Sequence, residues 1–340
     1  MTVDCARGFF QLCWKNHLLF CIIELMNIFG NKSLAIAVDV GGTNLRTAIV
    51  DRKGKIIAKI STKTVQRGKS GRVVANQIIG EIRKIVGGDN LKRYKGIGVS
   101  IAGPIDYERG VSVNPPNMNF SRVPITGPLE KAFRLPVSLS NDCNAAVLGE
   151  KYFGAGKKND NLVYITMSSG IGGGAIVAGN LLLGKDGSAA EIGHMVVDTG
   201  YNLLCSCGKG HGHWEAYASG NNIPKFFRVW AREKKKKVGF NCRKAADIFA
   251  AVRKKDEVAL DFMEELGKIN GRGLSNVIAA YDPEMITFGG AVMLGNGDLV
   301  LKYAKRSIDK FLRWPRMRIS PLGEDAPLLG AAALALGLSR

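Results

Sequence analysis

No uninterrupted apolar run in this chain reaches the ~20 residues that a bilayer-spanning helix requires. The nearest approach, FFQLCWKNHLLFCIIELMNIF at 9–29, is broken by Gln11, Lys15, Asn16, His17 and Glu24. The same stretch lacks the basic start and the small-residue cleavage site of a signal peptide. It reads either as a short accessory helix or as the product of a mis-assigned start, with Met26 shortly ahead of the first clear strand. An even set of cysteines is also missing: there are seven, and two of them, Cys205 and Cys207, stand among histidines. That pattern argues against a disulfide framework and for a reducing compartment, so a cytoplasmic protein with no membrane partner is expected. Acidic residues are in short supply, 29 against 48 Lys and Arg, which leaves a net charge of +19 and a pI near 9.7. Such an excess raises nucleic acid or an anionic surface as a partner. The cations are nevertheless scattered, apart from the runs at 234–237 and 253–255. Solvated helix ends, or a field that suits a polyanionic nucleotide, account for them, and no nucleic acid partner is expected. With 340 residues, 46% apolar and 23% charged, the chain has material for two domains with a core each.

Histidine is scarce as well, four in all, yet three of the four (His194, His211, His213) fall between Glu191 and Glu215 together with Cys205 and Cys207. Thiolate and imidazole at short spacing suit tetrahedral Zn²⁺. The pattern is Cys-x-Cys, then His-x-His, with His194 available from upstream. Four protein ligands leave no open position, so a structural knuckle is expected rather than a catalytic zinc; the alternative is a loop with incidental Cys and His. A metal that pins this loop would fix Glu191 and Glu215 as hydrogen-bond acceptors in a cleft.

From Leu34 the pattern sharpens. LAIAVDV is a strand-length apolar run that ends in Gly41-Gly42-Thr43-Asn44, followed by returning strands at 47–50 and 56–60. Adjacent glycines with hydroxyl and amide side chains offer donors to a phosphate, and Asp39 could hold Mg²⁺ through its water shell. A plain tight hairpin is the alternative. An amphipathic helix is expected at 73–86, from Val74, Ile78, Ile82 and Ile85, then a strand at 96–101 running into Ala102-Gly103-Pro104. The strand 136–140 runs straight into Asn141-Asp142 and an alanine-rich helix. Asp142 is there either a cleft-facing acid or a helix cap. A second cycle starts at Asn161: an apolar strand, a turn with Ser168, Ser169 and Gly170, and a returning strand through Gly172, Gly173 and Gly174. Two such turns, each breaking a strand pair, suggest related halves that each contribute a phosphate loop. A long helix from Asp256, a strand at 285–288 ending in Gly289-Gly290, a helix at 299–312, a short strand near 317–319 and a helix from Ala326 complete the expectation. Gly289 and Gly290 either admit a flat adenosine or serve close packing.

DVGGTNLR at 39–46, Asn-Asp at 141–142, SSGIGGG at 168–174, EIGH at 191–194 and CSCG with a downstream HWE together resemble the ROK family of sugar kinases and repressors. The resemblance runs from about Leu34 nearly to the C-terminus. It implies an α/β, actin-like (hexokinase or ribonuclease H-like) ATPase fold, two domains each with a mixed five-stranded sheet flanked by helices. The division would be an extension at 1–33, a first domain at 34–145, a second at 146–325, and a terminal helix at 326–340 returning to the first. It implies an ATP-dependent hexose kinase using Mg²⁺ and a structural Zn²⁺, assembled as a dimer or tetramer. Asp142 would be the general base toward the sugar's 6-hydroxyl. Gly103, Asn141, Glu191, His194 and Glu215 would contact the sugar. Asp39, Gly41, Gly42, Thr43, Asn44 and Arg46 would form the first phosphate loop, Ser169 and Gly170 the second, and Gly289 and Gly290 would border adenosine. The family's knuckle usually reads Cys-x-Cys-Gly-x-x-Gly-Cys-x-Glu. Here one residue is inserted and a histidine replaces the third cysteine; the step to Glu215 selects His213, beside His194, Cys205 and Cys207, with His211 the competitor. Ser168-Ser169 stands where Gly-Thr is common, and Ala190 where glycine is frequent. An N-acetylhexosamine kinase or a fructokinase fits the same constellation. A repressor would need some 60 residues of helix-turn-helix before the first strand, where this chain has 33 without that pattern.

Overall fold

The computed structural model describes residues 34–311 and 313–338. Expectations for 1–33, and for the end of the helix placed at Leu312, lie outside the described residues.

Strand β1 (Leu34–Val40) is apolar at nearly every position because both its edges are paired and both its faces are covered. It runs antiparallel to β2 (Asn44–Asp51) and parallel to β4 (Tyr94–Ile101). Strand β3 (Ile56–Lys63) lies outside β2 and alternates between half-buried and exposed residues, as an edge strand does. Strands β5 (Ile105–Asp106), β6 (Val111–Val113) and β7 (Arg122–Pro124) form a small three-stranded sheet that the sequence patterns did not announce. Strand β8 (Val137–Asn141) closes the first large sheet, in the order β3-β2-β1-β4-β8.

The second large sheet has β11-β10-β9-β12-β13, from β9 (Leu162–Met167), β10 (Ile171–Val177), β11 (Asn180–Leu181), β12 (Met285–Gly289) and β13 (Arg316–Ile319). Among the described residues there are thus two mixed sheets of five strands, as expected, and they repeat one plan: an antiparallel pair closed by a glycine turn, then a parallel neighbour.

Helix α1 (Arg72–Val86) presses Val74, Ile78 and Ile82 onto the first sheet with the spacing read from sequence, and α2 (Thr126–Phe133) adds Leu129 to the same core. Helix α3 (Asp142–Tyr152) leaves β8 directly. Its Ala146, Val147 and Leu148 pack with Leu162 and Tyr164 of the second sheet. After the one-turn α4 (Glu215–Ala218) come α5 (Ile223–Glu233) and α6 (Ala245–Arg253). The long α7 (Glu257–Tyr281) starts on Asp256, whose carboxylate accepts the Ala259 amide at 3.0 Å. Phe226, Phe227, Trp230 and Phe262 form the aromatic centre of this core.

Helix α8 corrects one expectation. It spans Gly290–Ala304 rather than 299–312, beginning directly after β12, and a single 3-10 turn, Lys305–Ser307, follows it. Asn296, at φ −141° and ψ 17°, kinks the helix between Gly295 and Gly297. That break destroys the 3.6-residue periodicity, so the sequence pattern shows only the part beyond it. Helix α9 (Ala326–Ala335) lies against β1, where Leu328, Ala331 and Ala332 meet Ala35 and Ala37. It also packs closely on α3, so these two helices make the seam between the sheets. Among the described residues no helix is long and apolar enough to cross a membrane.

Candidate active site

The first glycine turn is braced from behind. The Thr64 hydroxyl donates to the Gly41 carbonyl at 2.7 Å, and the Gln66 amide donates to the Gly42 carbonyl. The Gly41 amide closes the turn on the Asn44 carbonyl at 3.0 Å. With the carbonyls tied back, the Gly42 and Thr43 amides meet no backbone acceptor among the described residues. Gly42 and Thr43 line a cavity of about 850 Å³ together with Lys63, Asn117 and, from the second glycine turn, Ser169. Unpaired amides at a glycine turn are anion-binding groups. Glycine is required at 42 by close approach: a Cβ there would lie 2.6 Å from the Asn117 Cβ. Asn44 belongs to the first position of β2 rather than to the turn itself.

Asp39, the penultimate residue of β1, is only 9% exposed, and its Oδ1 accepts the Ser100 hydroxyl at 3.0 Å. Burial pushes its carboxyl up to about 6; the Ser100 bond opposes this, and repulsion from Asp142 adds to it. A folded-state value above the ordinary 3.8 means that the stability this group contributes is full below pH 3.8 and is lost as pH rises through about 6. Asp39→Asn should therefore stabilise the ligand-free protein at pH 7 by about 1–2 kcal/mol, since the lost contact to Arg46 offsets part of the gain. Melting curves check this: the difference from wild type should shrink as pH falls from 7 to 4, and a constant difference would contradict it.

Arg46 is placed differently from the phosphate-loop expectation. Its guanidinium lies 3.6 Å from Asp39 and is otherwise engaged by the backbone oxygen of Glu324, at 3.0 Å, and by that residue's carboxylate. It clasps the segment that leads into α9 and does not line the cavity.

At the seam, Asn141 caps α3, with its Oδ1 accepting the Cys143 amide at 2.9 Å and its Nδ2 donating to the Gly103 carbonyl at 3.2 Å. Asn141 is the cap, and Asp142, the first residue of the helix, shares only the Cys143 amide with it. The Asp142 Oδ1 accepts the Cys143 amide at 2.9 Å, and burial raises its carboxyl above the ordinary range. Burial raises Glu191 too; His194 opposes the shift, while Asp142 and Glu215 add to it. The Asp142 charge thus adds to the raised carboxyls of both Asp39 and Glu191.

The loop 194–215 gathers His194, Cys205, Cys207 and His213, with all four ligand atoms within 4.8 Å of one another. The His194 Nδ1 lies 3.8 Å from the Cys205 Sγ, and the His213 Nδ1 lies 3.8 Å from the Cys207 Sγ. Metal–ligand bonds of ~2.0–2.3 Å put tetrahedral donors ~3.3–3.8 Å apart, so this soft donor set fits zinc. His211 is exposed, and its backbone bridges to Leu204; His213, bridged to Val196, is the one that turns inward. The backbone N–H of Lys209 lowers the Cys207 thiol, which favours the thiolate ligand. His194 keeps its Nε2 toward Glu191, 3.8 Å away.

Glu215 links this loop to the second glycine turn. Its Oε2 accepts the Ile171 amide at 2.8 Å, and its Oε1 accepts the Ser206 hydroxyl at 2.5 Å. Ser206, between the two cysteines, is a supporting residue that no spacing rule marks. Gly170 sits beside the same carboxylate, and the Ser168 amide closes the turn on the Gly170 carbonyl at 2.9 Å. At the β12–α8 corner both glycines meet a packing demand. A Cβ on Gly289 would strike the Tyr164 hydroxyl at 2.0 Å, and Gly290 adopts φ +81° against the Met167 carbonyl.

A family profile described as the ROK family matches residues 35–337. The chain is 37% identical over 303 residues to a glucokinase of Pyrobaculum calidifontis, covering 88% of this chain and 94% of that protein. Among solved structures it resembles the ROK hexokinase of Thermus thermophilus, with a TM-score of 0.74, 29% identity and coverage of 90% and 98% of the two chains. It also resembles a ROK family glucokinase of Streptomyces griseus in complex with glucose and AMPPNP, with a TM-score of 0.71, 30% identity and coverage of 88% and 98%.

Proposed function

The chain belongs to the ROK family, and on that premise we propose that it is an ATP-dependent hexose kinase of the glucokinase type, with Asp142 as the general base. The observation that carries the reading is the position of Asp142. It is buried where α3 leaves β8, in the sheet that carries the first glycine turn. Its charge adds to the raised carboxyls of both Asp39, near that turn, and Glu191, beside the knuckle, which supports a carboxylate placed between a phosphate cradle and a sugar-gripping loop.

Phosphoryl transfer asks for positioning, charge neutralisation and a base aimed at the attacking hydroxyl. The Gly42 and Thr43 amides and the Ser169 side chain hold the donor's phosphates from the two sides of the cavity. Asn141, Glu191, His194 and Glu215 grip vicinal sugar hydroxyls by charge-assisted bonds. The free oxygen of Asp142 accepts the proton of the 6-hydroxyl. Asp39 would hold Mg²⁺ through water, and that ion would neutralise the phosphates. His194, Cys205, Cys207 and His213 would hold a structural Zn²⁺. Gly289 and Gly290 border the adenosine, in addition to the packing they serve.

A coupled ADP-release assay with MgATP against glucose, mannose, fructose and N-acetylhexosamines tests the reading. Glucose should give the highest kcat/KM, by about tenfold or more. No hexose-dependent ADP release from any of these sugars would reject it. An N-acetylhexosamine in first place would move the assignment to an aminosugar kinase.

A further inference from the structure

We propose that Lys63 is the fixed cation that receives the terminal phosphates of the donor. The inference rests on the kinase reading above and adds a binding residue that no sequence motif marks.

Lys63 is the last residue of β3 and pairs directly with Asn44, the first residue of β2 after the glycine turn. Residues directly opposite in an antiparallel pair project to one face of the sheet. The Lys63 Nζ donates to the Asn44 Oδ1 at 3.0 Å, so the amide at the end of the turn aims the ammonium. Thr64 and Gln66, the neighbours of Lys63 in sequence, are the residues that tie back the Gly41 and Gly42 carbonyls. The end of β3 is thus built against the turn, with Lys63 at its front.

Charge singles the residue out. Among the side chains that line the cavity, Lys63 is the charged one; Thr43, Asn117 and Ser169 are neutral. Arg46, the other cation close to the turn, is engaged by Asp39 and Glu324. The plain alternative is a solvated lysine that blunts an edge strand. Lys59, two repeats earlier on the same face of β3, shows the contrast: its ammonium is neutralised by Asp325 at 2.8 Å. Lys63 is held by a neutral amide, so its charge stays available to an anion in the cavity. The ligand class is a polyphosphate chain, as in a nucleoside triphosphate, gripped at its far end by the ammonium and by the turn amides.

The test is equilibrium binding, so that it does not depend on turnover. Calorimetry with Mg·AMPPNP, Mg·ADP and adenosine is run on wild type, Lys63→Met and Lys63→Arg. Lys63→Met should weaken Mg·AMPPNP by about tenfold or more, weaken Mg·ADP less, and leave adenosine and glucose unchanged, while Lys63→Arg stays within about threefold of wild type. An equal loss for Mg·AMPPNP, Mg·ADP and adenosine would mark a structural defect and overturn the proposal. So would Lys63→Met binding Mg·AMPPNP within twofold of wild type, or a wild type that binds no nucleotide. A wild type that binds Mg·AMPPNP selectively yet phosphorylates no hexose would sink the kinase reading and leave Lys63 in place.

Discussion

Asp142→Asn should lower kcat for hexose phosphorylation by about three orders of magnitude while the dissociation constant for the hexose changes by less than about threefold. General-base catalysis is worth about 10²–10⁴ in rate. The substitution removes the basic oxygen and little else. The carbonyl of the new side chain still accepts the Cys143 amide that Asp142 accepts at 2.9 Å. The start of α3 is held by Asn141, so the helix does not depend on position 142. Burial raises the Asp142 carboxyl, so the neutral amide relieves a desolvation cost and the melting temperature should hold or rise. Steady-state kinetics, hexose calorimetry and a melting curve on one preparation separate these effects. A variant within tenfold of wild-type kcat would reject the base assignment. The wild-type pH profile carries the same signature. Asp39 is pushed up to about 6 and Asp142 is raised as well, so activity should fall on the acid side at a pH above the ordinary carboxylate range.

What made most of this fold legible is that its two glycine turns interrupt continuous apolar runs. LAIAVDV and LVYITM can only be buried strands, and the turns that end them fall where the chain must reverse. Local chemistry also carried the start of the long helix at Asp256 and the spacing of α1. What stayed hidden depended on partners far along the chain. Nothing near Arg46 reveals that Glu324, 278 residues later, claims its guanidinium. Lys63 looks like any edge-strand lysine until the β2–β3 register sets it opposite Asn44. Asn141 and Asp142 are both good caps by type, and only the turn of the backbone at the end of β8 decides which side chain reaches back to the amides. The choice of His213 over His211 needed an inference from the glutamate two residues on, and the bridges Val196–His213 and Leu204–His211 show its geometric reason. The kink at Asn296 defeated periodicity because a helix in two short pieces has no single face to read.

Cys205→Ala should release bound zinc and raise the hexose dissociation constant by about tenfold or more, although position 205 lies outside the group of residues expected to touch sugar. Core contacts of Val197 and Trp214, the Trp214 indole bond to the Asn270 Oδ1 at 2.8 Å and the Tyr217 hydroxyl on Asp198 anchor both ends of the loop 194–215. The turn that carries the cysteines has fewer ties: Leu204 is 58% exposed, and residues 204–213 are joined by isolated bridges and turn bonds rather than by a sheet. Metal binding at a site absent from the unfolded chain contributes directly to local folding, and a Cys₂His₂ set loses most of that when one thiolate goes. The two carboxylates proposed to grip the sugar then lose their supports. Glu191 loses His194 as a fixed neighbour, and Glu215 loses the Ser206 hydroxyl that sits between the two cysteines. His211→Ala is the matched control, because that side chain is exposed and its backbone bridge survives the change; it should keep about one zinc per chain and wild-type hexose binding. Elemental analysis, hexose calorimetry and far-ultraviolet circular dichroism on the two variants read metal, grip and fold separately. Both large sheets lie outside the loop, and of the second core the loop supplies Val197, Cys205 and Trp214, of which the substitution removes one sulfur atom, so the dichroism of Cys205→Ala should remain near wild type. Zinc-free Cys205→Ala that bound hexose as tightly as wild type would break the link from metal to carboxylates on which the sugar-binding role of this loop depends.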